Sequence, residues 1–216
     1  MKSKSNSHVS VIYGSDGPTS VFMLGKSKKQ PLKARIRNAR YQSKRKKVEA
    51  AIVANPHSLS ETVEYAKDKY GLTETACTDE KYIEQVKCLK ESLIFRHKPE
   101  LLGEMKDIQK PDFSDEESVK EFLNKMKSRS EMIAQMPDDV ISMDFHLYEI
   151  RIDDDYLEVE VDYRWNIFAI SYSGSKAVMK RFKEISRDLY NYYGVTEDDI
   201  KNKTERYSAL VTELSS

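Results

Sequence analysis

The chain has 216 residues, 39% of them hydrophobic and 33% charged, with two cysteines. That composition excludes a multi-pass membrane protein, a collagen and a disulfide-rich scaffold, and it allows a folded core that removes roughly 70% of the unfolded surface from water. The 36 Lys and Arg against 36 Asp and Glu sum to zero, but residues 1–47 hold 13 basic side chains with Asp16 as their one acid, so the remainder carries an equal negative excess.

Lys2 and Lys4 precede an apolar stretch broken by Tyr13, Gly14, Asp16, Gly17 and Pro18, so no signal-peptide core forms. No run reaches the ~18 to 20 apolar residues of a membrane-spanning helix, and the expected location is the cytoplasm. The apolar segments 8–13 and 20–24 flank Gly14-Ser15-Asp16-Gly17-Pro18-Thr19 and predict strand, turn, strand or strand, turn, helix. The plain hairpin reading makes Asp16-Gly17 the turn. From Lys26 to Lys47, eleven of 22 residues are basic and none is acidic. Pro31 opens a helix there, with a thin apolar stripe of Leu32, Ile36, Ala39, Val48 and Ile52 that ends before Asn55-Pro56.

Ser58 with Glu61 forms a capping box for a helix that closes near Gly71. Thr78 is the expected cap of the next, whose Ile83, Val86, Leu89, Leu93 and Ile94 recur at three and four before Pro99. Ser114 with Glu117 predicts a second box and a helix through Met126 and Ile133 to Pro137. Beyond Asp138-Asp139 the period changes. Segments 141–152 and 156–163 flank Asp153-Asp154-Asp155 as a β-hairpin, with Leu157, Val159 and Val161 on one face and Glu158, Glu160 and Asp162 on the other. A third strand at 167–172, a helix from Gly174 to Tyr193 closed by Gly194, and a last short helix capped by Thr196 complete the chain.

These elements predict an α+β fold: a small antiparallel sheet of N-terminal strands plus the C-terminal meander, a helical middle region and two C-terminal helices. A single domain over residues 1–216 is the simpler assignment, with a subdivision between 1–137 and 138–216 as the alternative.

Most chemical motifs are absent. No GxGxxG or GxxxxGKS/T occurs, the four histidines His8, His57, His97 and His146 form no HExxH, and no serine sits in GxSxG. Cys77 and Cys88, eleven apart, match neither a zinc site nor a CxxC pair and are expected to be reduced. No catalytic residue and no cofactor follows from the sequence. Three candidate sites do. Glu158, Glu160 and Asp162, with His146 on the paired strand, would offer ligands for Mg²⁺ or Ca²⁺ and hence a metal-dependent enzyme; the alternative is a solvated strand face. Lys33, Arg37, Arg40, Lys44 and Lys47 would line one side of the basic helix, where they meet nucleic acid, another polyanion or a protein partner, or instead pack on the acidic body. Gly14, Asp16, Gly17 and Thr19 would frame a small ion or ligand, or form only a turn.

The stretch Val11-Ile12-Tyr13-Gly14-Ser15-Asp16-Gly17-Pro18-Thr19-Ser20-Val21-Phe22 resembles the GGADGPT signature of the β subunit of sodium-ion-translocating decarboxylases, the oxaloacetate, methylmalonyl-CoA and glutaconyl-CoA type. Gly14, Asp16, Gly17, Pro18 and Thr19 match; Tyr13 and Ser15 depart. The resemblance implies sodium binding at Asp16. It does not carry transport with it, since an ion path needs several helices within a bilayer. The expected function is a binding or accessory protein that bears this loop.

Overall fold

The computed structural model describes residues 31–216 throughout and, ahead of them, the backbone of two strands, Val9–Gly14 (β1) and Gly17–Met23 (β2). They pair antiparallel from Val9↔Met23 to Gly14↔Gly17, with a register shift between Ile12 and Tyr13. Gly17 therefore belongs to the ladder rather than to the turn, and the residues left to connect the strands, Ser15 and Asp16, lie outside the described residues. Pro18 is tolerated because each strand of a two-stranded sheet has a free edge.

The fold is α+β, but β1 and β2 form a sheet of their own, which corrects the expectation that the N-terminal strands join the C-terminal meander. Alternation identifies a strand without naming its neighbour, and the fourth strand of the meander is the two-residue Thr73–Glu74 (β3), too short to carry any pattern. The other elements are Leu32–Ala51 (α1), Leu59–Tyr70 (α2), Glu80–His97 (α3), Glu116–Ala134 (α4), Phe145–Ile152 (β4), Asp155–Asp162 (β5), Ile167–Ser173 (β6), Lys176–Tyr193 (α5), Glu197–Asn202 (α6) and Glu205–Ser215 (α7). Three helices follow the sheet where two were expected. Lys203 takes a left-handed conformation and Thr204 then caps α7, its side chain accepting from the Tyr207 amide. Among the described residues no helix is long and apolar enough to cross a membrane.

The chain divides into two compact units, Met1–Lys28 with Ala76–Asp144 and Lys29–Thr75 with Phe145–Ser216. In the first, α3 and α4 start from aspartate caps rather than from Thr78 and Ser114. Asp79 accepts from the Lys81 amide and Asp115 from the Glu117 amide. Arg129 of α4, 7% exposed, donates to Glu91 of α3 at 3.1 Å, and Ser130 donates to the other oxygen of that carboxylate.

The second unit is built on the antiparallel sheet β3-β4-β5-β6. Asp153, at φ 55°, turns β4 into β5, with Ile152 paired to Asp155. Tyr148, Ile150, Leu157, Val159 and Val161 share one face, and Val63 and Ala66 of α2 with Phe182, Ile185 and Leu189 of α5 complete the core. Leu157, Val161 and Leu189 are each 0% exposed, and each such side chain contributes about 1.5–3 kcal/mol by leaving water. A second cluster joins Tyr207, Leu210 and Val211 of α7 to Val195, with Ile52 beyond the end of α1 packed against it.

One junction ties these helices together. The segment between α1 and α2 lies along the segment after α5, with the Asn55 amide donating to Val195 O at 3.1 Å and the His57 amide to Tyr193 O at 3.0 Å. The Arg206 guanidinium then donates to the carbonyls of Gly194 at 2.8 Å, His57 at 2.8 Å and Tyr193 at 2.5 Å, and it lies 3.6 Å from the centre of the Tyr193 ring. Gly194, at φ 59° and ψ −160°, occupies backbone space that side-chain-bearing residues avoid, and a Cβ there would collide with Asn55 O. Gly194→Ala is therefore expected to cost about 3 kcal/mol or more. Gly71, at φ 69° with nothing within 4 Å of its missing Cβ, is the control, and Gly71→Ala should cost about 1–2 kcal/mol. Urea denaturation of both variants checks this, and equal losses would contradict it.

Candidate functional site

Helix α1 begins on Pro31, whose carbonyl accepts from the Ala34 and Arg35 amides, and ends at Ile52, which returns to extended backbone. It has no buried residue. Ala34, Tyr41, Arg45, Val48 and Ile52 are half-buried and fall on one stripe, and the helix packs on α7. Lys33, Arg37, Arg40, Lys44 and Lys47 follow one another at steps of four and three, are all exposed, and run along the flank of that stripe over about 21 Å.

Structure thus brings the five predicted cations together on one side of one helix. Lys33, Arg37, Arg40 and Lys47 have no hydrogen bond or ion pair among the described residues, and the one ion pair on α1 there is Arg45 with Glu49, within the helix itself. Lys44 donates to Ser216 O at 2.6 Å. Its ammonium is held below the usual lysine range, first by burial and then by the charges of Arg187 and Lys183.

Those two residues belong to a second basic stripe that composition did not show. Lys176, Lys180, Lys183 and Arg187 of α5 recur at four, three and four, the same steps as on α1. The signal was present but diluted, because Glu184 and Asp188 lie in the same stretch. Glu184 stands 4.0 Å from Lys180, and Asp188 accepts from Tyr65 OH at 2.7 Å, Tyr70 OH at 2.8 Å and Lys69 Nζ at 2.9 Å. That acceptor cluster holds α2 against α5. Tyr65 also stacks on Tyr192 at 3.9 Å, and Tyr192 on His57 at 4.0 Å. Asp188 is held below the ordinary carboxylate range by its three donors, against the opposing effect of burial.

The strand carboxylates do not assemble as expected. His146 pairs across the ladder with Val161, so it shares the apolar face, where its Nδ1 lies 2.6 Å from Glu74 Oε1. Glu158, Glu160 and Asp162 point to the opposite face, as the period of two requires. The alternative of a solvated face fails as well. Glu158 is 8% exposed and Asp162 0%. Asp162 Oδ1 accepts from the amides of Arg164 and Trp165, which fixes the turn into β6, and Glu158 accepts from Ser171 Oγ at 3.2 Å. Glu149, directly across from Glu158, accepts from Arg151 at 2.6 Å. Among the described residues no three His, Cys, Asp or Glu side chains are arranged to hold a metal ion.

Of the loop candidates, Gly14 and Gly17 face each other at the end of the hairpin and Thr19 follows within β2, while Asp16 lies outside the described residues. Cys77 and Cys88 are free thiols.

Burial also changes the chemistry of Glu160. It is half-buried, and burial first, then the charge of Glu158, push its pKa up to about 7. An acid raised in the folded state keeps its proton on folding, so its stabilising effect is full below the unfolded value near 4.5 and is lost as pH rises to about 7. Glu160→Gln is expected to be the more stable protein at pH 8, by about 3 kcal/mol, with no difference at pH 4. Thermal unfolding across that range tests it, and a wild-type advantage at pH 8 would contradict it. No family model, curated protein or solved structure matches this chain.

Proposed function

We propose that this is a binding protein that engages a polyanion through the basic stripe of α1. The observation that supports the reading is the exposure of Lys33, Arg37, Arg40 and Lys47 on one side of a helix with no carboxylate set against them among the described residues. A basic segment that served only to neutralise the acidic remainder of its own chain would place its cations on carboxylates. Here α1 packs on α7, with Ile52 just beyond its end in the α7 cluster, and four of the five predicted cations are left for solvent or a partner. The stripe has no aromatic side chain to stack on a base, so recognition is by charge and depends on salt.

The intact protein is expected to be retained on immobilised heparin and to elute with rising salt. Arg37→Glu, Arg40→Glu and Lys47→Glu together should weaken binding by about 100-fold or more at ~0.1 M salt, with thermal stability unchanged because all three side chains are exposed. Absence of retention, or retention indifferent to the three reversals, would overturn the reading.

The GxDGPT resemblance supports a second reading, in which the hairpin end binds a small cation or a partner. Its support is the pairing of Gly14 with Gly17, which sets the two glycines of the motif opposite each other. Sodium titration should move the Asp16 and Thr19 amide resonances, and no movement at high millimolar sodium would exclude it.

A further inference from the structure

We propose that the basic stripes of α1 and α5 form one bipartite surface for double-stranded nucleic acid, each helix following one sugar–phosphate strand. The inference rests on the polyanion reading of α1 and extends it to a second element and to a partner class.

The two helices end at one junction and both rest on α7. Asn55, just past α1, is bonded to Val195, just past α5, and eight residues before Ile52 and Val195 stand Lys44 and Arg187, which lie within electrostatic reach of each other. Both helices pack on α7, which spans eleven residues, whereas α1 spans 20 and α5 spans 18. Arg187 donates to Glu213 O and contacts Ser216 O, and Lys44 reaches the same Ser216 carbonyl, so the two stripes meet over the C-terminal end of α7.

From that junction they continue towards their helix N-termini as Arg40, Arg37 and Lys33 on one side and Lys183, Lys180 and Lys176 on the other. Lys176 and Lys183, like the three residues of α1, have no hydrogen bond or ion pair among the described residues. Two cationic rails from one junction match two phosphate strands, and a single strand would satisfy only one of them. Gathering Lys44, Lys183 and Arg187 in the free protein is electrostatically unfavourable, and phosphates placed between them relieve it. An anionic membrane is the competing partner. A helix that lies in lipid needs a continuous apolar face beside its basic one, and α1 offers exposed Leu32 and Ile36 at one end, followed along that side by Ala39 and Ser43.

Fluorescence anisotropy with a mixed-sequence 20-base-pair DNA duplex, its single strand, and vesicles of phosphatidylserine and phosphatidylcholine separates these cases. The expected result is tighter binding of duplex than of single strand. Lys176→Glu with Lys183→Glu should weaken duplex binding by about tenfold or more and reduce the salt slope by about two, at ~0.9 for each phosphate that is no longer neutralised, while single-strand binding changes by less than about threefold. Circular dichroism melting confirms that the variant is folded, and Lys176→Gln with Lys183→Gln supplies a milder pair if it is not. If the α1 reversals abolish duplex binding while those in α5 leave it unchanged, the polyanion reading stands and the bipartite surface falls. Binding to vesicles but not to duplex overturns the nucleic-acid assignment, and equal affinity for duplex and single strand overturns the two-rail geometry.

Discussion

The second unit depends on the capture of three backbone carbonyls by one guanidinium. Arg206 reaches His57 from the α1–α2 connection and Tyr193 and Gly194 from the end of α5, while its plane covers the Tyr193 ring. Hydrogen bonds to a charged donor are each worth about 1.5–3 kcal/mol, and without the guanidinium the His57 and Gly194 carbonyls lose this donor, while Tyr193 O keeps the His57 amide. A lysine would not replace it, because one ammonium cannot present donors in a planar fork. Gly194 completes the arrangement by letting Asn55 approach where a side chain would collide. What the junction fixes is the registration of α1 against α5: both helices end at it, so the distance of each basic residue from it is set by the helical rise alone.

That registration gives the charge pattern its meaning. α1 has no buried residue, and a helix held only by a half-buried stripe owes its position to its ends and to a few side contacts. Ile52 in the α7 cluster and Lys44 on the Ser216 carbonyl supply those contacts. Cations near a helix C-terminus interact favourably with the carbonyls there, so Lys44 and Arg187 both anchor α1 and α5 to α7 and bring positive charge together. The same contacts thus serve packing and surface electrostatics.

Much of this was legible in the sequence because its causes are local. The capping box at Ser58, the glycines after α2 and α5, and the alternation of β5 follow from single-residue chemistry or short periods. The basic stripe of α1 is a spacing, and spacing survives folding. What was not legible depends on groups every residue carries or on neighbours far along the chain. Arg206 binds backbone carbonyls up to 149 positions away, and no pattern of side chains announces a carbonyl. His146 misled because register, not proximity in sequence, sets its face. One position along either strand would have put it beside Glu160, but the ladder pairs it with Val161. The burial of Glu158 and Asp162 was hidden for the same reason, since charged residues alternating along a strand show which face they share but not whether that face meets water.

The carboxylates also explain why the neutral total does not make a neutral surface. Many acidic groups of the described chain have local tasks: Glu61, Asp79, Asp115 and Asp199 at helix starts, Asp162 at a turn, Asp188 on two tyrosines and a lysine, Glu91 on Arg129, and Glu149 on Arg151. A carboxylate fixed in a cap or a turn keeps its charge but cannot travel to meet a lysine on another helix, and beyond the Debye length of about 8 Å in physiological salt its field is largely screened. Flexible basic side chains on an exposed helix face no such restriction. Equal numbers of opposite charges therefore coexist without cancelling: acids at fixed posts that hold elements in place, and Lys33, Arg37, Arg40 and Lys47 exposed on α1 with no carboxylate set against them among the described residues.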